Sequence, residues 1–169
     1  MKLDEIVRKT VESTYGALGK LLKHHHFDYN LSVEIEVGDY SREFSDSNRT
    51  EIEFILMEYV LNARKAIYGT DEFPYRAPNA EELKSIPARI TVKLNEEDKV
   101  YVLSVTDNGD GIPVENRDKI FRDQFSTRGT TGIGLRMVCN TALLKLKGYV
   151  DFDSEVGKGS TFRLYLPKK

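Results

Sequence analysis

Four short stretches carry residues whose types and spacing suit phosphate and nucleotide chemistry. In "MEYVLNARKA", Glu58 and Asn62 are four residues apart and Lys65 follows three later, so a helix puts all three on one stripe. A carboxamide oxygen can ligate Mg2+, an ammonium can meet a phosphate, and a carboxylate can orient or deprotonate a nucleophile. A polar stripe facing water would use the same residues, and this spacing alone does not separate the two.

The second stretch is "DNGDGIP", residues 107–113, directly after the strand-like "KVYVLSVT". Asp107 falls where that strand ends, and a buried carboxylate there can accept a hydrogen bond from an exocyclic amine. Gly109 and Gly111 permit positive φ and close approach of a flat ligand. Asn-Gly and Asp-Gly are also strong turn formers, although two in tandem exceed the needs of one turn. The third stretch, "GTTGIGL" at 129–135, leads into a helix whose first amides can face an anion. It lacks the spacing of a P-loop, and no strand precedes it as a dinucleotide fingerprint requires. The fourth is "IFRDQFSTRG", 120–129, where Phe121 and Phe125 can anchor the two ends of a flap and Arg128 can point at a terminal phosphate. An ordinary loop with a hydrophobic clip reads the same way.

The elements that must position these residues follow from periodicity. Leu3, Ile6, Val7, Val11, Tyr15, Leu18, Leu21 and Leu22 recur at helical spacing, and "HHHF" ends that helix. "LSVEIEV" alternates strictly and predicts a strand, with "SREFS" as a pairing candidate after "GDY". "SDSN" offers N-caps for a helix over about 50–68, with Ile52, Ile55, Leu56, Tyr59, Val60 and Ala63 inward. Residues 69–87 form a Gly-, Pro- and aromatic-rich excursion, long for a compact domain. "RITVKL" and "KVYVLSVT" predict a hairpin around "NEED", "VENRDKIF" a short helix, and "IGLRMVCNTALLKLK" an amphipathic helix stopped by Gly148. "YVDFDS" and "STFRLYLP" close the chain as a hairpin. The order implies an α/β fold with helices on one face of a mixed sheet.

Bulk composition narrows the function classes. With 169 residues, 40% hydrophobic and 31% charged, the chain is sized for one soluble globular domain. A formal charge of -2 gives no electrostatic footprint for nucleic acid. No apolar run approaches a membrane span, and the polar "MKLDEIVRKT" is not a secretory signal. Cys139 is the single cysteine, so no internal disulfide forms, and its apolar neighbours suggest a buried helix residue. The expected location is the cytoplasm, leaving any membrane anchor to other parts of a parent protein.

Taken in order, the four stretches resemble the boxes of the Bergerat-fold (GHKL) ATP-binding family, which includes gyrase, mismatch-repair ATPases, heat-shock chaperones and sensor histidine kinases. "EYVLNARKA" resembles the N box, "DNGDGIP" the first glycine box, "IFRDQFSTRG" the F box and "GIGL" the second glycine box. With "GKGSTFRLYLP" at the end, the pattern over roughly 30–167 looks most like the catalytic, ATP-binding domain of sensor histidine kinases. The resemblance implies a two-layer α/β sandwich whose mixed sheet is mostly antiparallel. It also implies Asn62 on Mg2+, Asp107 on the adenine amine, Gly109 and Gly111 admitting base and sugar, and Ile112 against adenine. Gly132, Ile133, Gly134 and Leu135 would form the phosphate-facing second glycine box, with Arg128 and Lys65 contacting phosphate. Thr161 matches the threonine that supports the adenine-binding aspartate, and Glu58 matches the acidic residue that activates water in hydrolytic members.

As implied by that resemblance, the chain is one ATP-binding domain over 1–169, with an N-terminal helix at 1–25 that would follow a dimerisation hairpin and an ATP lid at 123–131. It would donate a phosphoryl group from ATP to a histidine on a separate or upstream acceptor domain, with a response regulator downstream. It departs from the pattern in three places. Ala66 stands where an aromatic or His often follows the lysine, with Tyr68 or an aromatic of the excursion as substitutes. The 69–87 segment is atypically long. His24, His25 and His26 lack the acidic residue after a histidine that an acceptor would have, so autophosphorylation by this chain alone is not expected. Two further readings remain: a protein-serine kinase of the same fold that antagonises a sigma factor, and, of a different class, a nucleotide-binding interaction module without transfer activity.

Overall fold

The computed structural model describes residues 1–24, 31–38, 44–68, 87–122 and 133–168. Helix α1 spans Leu3–His24. Its predicted apolar stripe is buried where its side chains are described: Leu3, Ile6, Val7 and Val11 lie in the core. Strand β1 (Leu31–Val37) points Val33, Ile35 and Val37 toward the same core. Helix α2 (Asp46–Tyr68) starts four residues before the sequence expectation. The reason is local, since Ser45 Oγ accepts the Asn48 amide at 3.3 Å and Arg49 pairs with Glu53 one turn on. The predicted inward face of α2 is buried throughout and extends to Ala66 and Ile67.

Strands β2 (Ala88–Glu96) and β3 (Val100–Asp107) form the predicted hairpin, closed by the Glu97 amide on the Val100 carbonyl at 2.9 Å. Helix α3 (Val114–Arg117) is a single turn, α4 covers Gly134–Leu144, and β4 (Tyr149–Glu155) with β5 (Gly159–Pro167) makes the closing hairpin. Among the described residues the five strands order as β1-β2-β3-β5-β4, with β1 and β2 parallel and every other pair antiparallel. Helices α1, α2 and α4 pack together and against one face of the sheet, giving the α/β sandwich that the sequence implies. That face carries Ile90, Val92, Leu94, Leu103, Val105, Phe162, Leu164 and Leu166, all buried. The opposite face carries polar pairs: Lys93 with Glu36, and Arg163 with Asp151 and Asp153.

Two local expectations change. Phe44 donates its amide to the Met1 carbonyl at 3.0 Å, so this end of "SREFS" pairs with the chain start; residues 39–43 lie outside the described set. Helix α4 does not run to Gly148: Lys147 takes the left-handed turn at φ 57°. Gly148 is needed for another reason, because a Cβ there would lie 2.1 Å from the Tyr165 carbonyl oxygen. Among the described residues no helix is long and apolar enough to cross a membrane.

Candidate nucleotide site

One stripe of α2 organises the site. At its C-terminal end, Ala66 accepts the Asp110 amide at 3.0 Å, and a Cβ on Gly109 would sit 2.6 Å from Ala66 backbone atoms. Two turns earlier, a Cβ on Gly134 would sit 2.3 Å from Glu58 Oε2. The first glycine segment therefore docks on one end of the stripe and the start of α4 on the other. Asn62 lies on the same stripe four residues from both Glu58 and Ala66, about 6 Å of helix rise from each. Asn62 and Lys65 are half-buried, as is Glu58.

Asp107 ends β3 on the helix-facing side, 5% exposed, with Ile90 and Ser160 as its register neighbours. Its Oδ1 accepts the Gly109 amide at 2.8 Å, the local bond that lets an Asp turn its own chain. Asn108 extends the brace: its Oδ1 accepts the Arg89 amide at 2.8 Å, and its amide nitrogen donates to the Pro87 carbonyl. Gly111 has φ 72°, and a Cβ there would lie 2.2 Å from the Glu155 carbonyl oxygen. The Gly157 amide reaches the Asp110 carbonyl at 2.8 Å, tying the loop to the β4–β5 turn. Both glycines expected to admit a ligand are thus also places where protein backbone approaches protein backbone. Sequence reasoning missed that use, because the approaching partners, Ala66 and Glu155, are remote in the chain.

The structure corrects the assignment of Thr161. Its hydroxyl pairs with Thr106 Oγ1 at 2.9 Å, and these two residues are register partners on β5 and β3. Successive side chains on a strand face opposite sides, so Thr161 lies on the other face of the sheet from Asp107. The cross-strand partner of Asp107 is Ser160, 5% exposed. Counting strand parity from the buried Phe162 would have found it, since Ser160 is two residues away.

Other expected residues divide as follows. Ile112 and Leu135 are half-buried and pack against the core, whereas Ile133, capping α4, is 42% exposed. Phe121 anchors one end of the F-box stretch, with ring centroids 5.8 Å from Phe152 and 6.4 Å from Phe162. Phe125, Arg128, Gly132, the lid, the 69–86 stretch and the last two histidines lie outside the described residues, and nothing is described of the Tyr68 side chain. Cys139 is partly buried rather than buried, beside the buried Val138. Behind the site, Tyr59 donates to the Arg163 carbonyl at 3.1 Å, and burial pushes its phenol well above its ordinary value. An open cavity of about 340 Å³ wraps the loop ends of β3, β4 and β5, lined among others by Asp107, Ser154, Thr106 and Thr161.

Comparison with known proteins identifies a family and a fold. The family described as histidine kinase-, DNA gyrase B- and HSP90-like ATPases matches residues 47–169. The chain is 34% identical over 125 residues to the sensor kinase CckA of Brucella abortus, covering 70% of this chain and 12% of that protein. It is 40% identical over 79 residues to the sensor histidine kinase ZraS of Escherichia coli, covering 46% of this chain and 17% of that protein. It therefore spans a small part of the length of these curated relatives. In fold it is similar to the catalytic domain of histidine kinase ThkA, with a TM-score of 0.71 at 21% identity, covering 99% of this chain and 93% of that one. It is also similar in fold to ThkA in complex with its response regulator TrrA, with a TM-score of 0.69 at 21% identity, covering all of this chain and 41% of that one. The chain belongs to the histidine kinase-, DNA gyrase B- and HSP90-like ATPase family, and its relatives there are sensor histidine kinases.

Proposed function

We propose that the chain binds ATP with Mg2+ between the α2 stripe and the 107–113 loop. It then donates the γ-phosphoryl group to a histidine on a separate or upstream acceptor domain. The observation that carries this reading is the α2 stripe itself, gripped by Gly109 at Ala66 and by Gly134 at Glu58, with Asn62 between them. Asp107 supplies a buried acceptor for an amino group at one end of that space. The donor set fits Mg2+: a lone carboxamide oxygen suits a cation that takes most of its ligands from phosphate oxygens and water. When bound, the ion would neutralise charge on the phosphates. Lys65 adds a positive charge on the same helix, and in this reading Glu58 would orient a nucleophile. Arg128, Gly132 and Gly134 complete the phosphate end in this reading. Phosphoryl transfer depends mainly on positioning and charge stabilisation, so the chain needs an acceptor brought to it. A response regulator would then receive the phosphoryl group from the acceptor domain, consistent with the ThkA–TrrA likeness.

The test incubates the chain with labelled ATP and Mg2+, alone and with the histidine-bearing domain of its parent kinase. Acid-labile phosphate should appear on the acceptor and not on the chain alone. Asn62→Ala should lower transfer by at least about a hundredfold, the scale of losing one preorganised charge-stabilising contact. Acid-stable phosphate on a protein partner would replace this reading with that of a serine kinase.

A further inference from the structure

We infer that Ser154 is a positioning residue for the base end of the nucleotide site, fixing the direction of the Ser160 hydroxyl beside Asp107. The inference rests on the nucleotide reading above and deepens it. Ile90, Asp107, Ser160 and Ser154 form one row across β2, β3, β5 and β4 on the helix-facing side. Ser154 Oγ makes three contacts from that row. The Ile112 amide donates to it at 2.7 Å, it donates to the Gly159 carbonyl at 3.1 Å, and it lies 2.9 Å from Ser160 Oγ.

A hydroxyl has one proton and two lone pairs. An amide can only donate and a carbonyl can only accept, so Ile112 occupies one lone pair and Gly159 takes the proton. All three contacts are satisfied together only when Ser160 donates its own proton into the remaining lone pair of Ser154. Ser160 then has nothing left to donate and turns lone pairs toward the Asp107 side. An ionised carboxylate likewise only accepts. The base end of the pocket therefore presents two acceptors side by side.

That pair selects for a group with two protons to give, such as the 6-amino group of a purine or a water molecule bound beside it. It rejects a 6-oxo purine, whose carbonyl would leave buried acceptors facing a third acceptor. The effect of Ser154 passes through Ser160 and, by way of the Ile112 amide, through the loop that follows Asp107.

The experiment titrates the wild-type chain, Ser154→Ala and Ser154→Thr with Mg-ATP and with Mg-ITP, its 6-oxo counterpart, by calorimetry, with thermal melts on the same samples. Wild type should prefer ATP. Ser154→Ala frees the Ser160 proton, so ATP affinity should fall about five- to tenfold, the scale of one hydrogen bond, while ITP binding changes less. Ser154→Thr keeps the hydroxyl and should restore the wild-type ATP-to-ITP ratio. A Ser154→Ala protein that melts lower but keeps the wild-type ratio would have lost only structure and overturns the inference. A wild-type chain that binds neither nucleotide overturns the site reading and this inference with it.

Discussion

Two cross-strand pairs stand next to each other on β3 and β5 and face opposite ways. On the open face, Thr106 and Thr161 close on each other at 2.9 Å. On the helix-facing side, Asp107 and Ser160 are buried, and Ser160 turns to Ser154. The first pair bonds across the strands on the face away from the helices. The second presents acceptors beneath a loop held by Ala66 on one side and Glu155 on the other. A one-residue step along a strand thus separates a pair on the open face from a buried pair on the helix-facing side, where the proposed recognition lies, and the helices decide which side is which.

The largest test of that difference is stability. Phe162 stacks on Phe152 at 5.5 Å, lies 5.4 Å from Tyr59 and is buried on the helix side; Phe162→Ala should cost about 3–5 kcal/mol in chemical denaturation. Its chain neighbour Arg163 points to the open face, where its guanidinium meets Asp151 and Asp153 at 3.1 and 2.6 Å. Arg163→Ala should cost no more than about 1 kcal/mol, because solvent screens such pairs. Equal losses from the two substitutions would erase the distinction between the faces.

A smaller effect should appear at high pH. Both Tyr59, behind the site, and Tyr165, on the open face, have phenols raised above the ordinary 10.0, chiefly by burial. A raised phenol keeps its proton longer when folded than when unfolded. The contribution is therefore complete below pH 10 and is lost as pH climbs beyond it. Melting temperature should fall above pH 10. Tyr59→Phe should flatten that fall more than Tyr165→Phe, because Tyr59 is the more deeply buried of the two. Equal flattening by both would remove the contrast.

Much of this molecule was legible from periodicity, and the misreadings are informative. The inward face of α2 and the two hairpins follow from apolar spacing of 3.6 and 2. The two glycines of 107–113 permit close approach of a ligand on local grounds, yet both also admit protein backbone, that of Ala66 and that of Glu155. No local pattern reveals which remote segment will approach a glycine. Thr161 was matched by motif position, but face parity on β5 gives the place beside Asp107 to Ser160. Ser154 was not singled out at all, since an isolated serine on an edge strand carries no periodic signal. Its importance arises only when β4 pairs with β5 and brings Ile112 within 2.7 Å.

The central claim is that the Asp107 face, and not the Thr161 face, recognises nucleotide. Calorimetric titration of Mg-ATP into Asp107→Ala and Thr161→Val, with melts confirming that both are folded, tests it most directly. The account predicts that Asp107→Ala loses affinity by about ten- to a hundredfold, the scale of a hydrogen bond to a charged group, while Thr161→Val binds like wild type. Unchanged ATP binding by Asp107→Ala, or a loss of the same size in Thr161→Val, would contradict it.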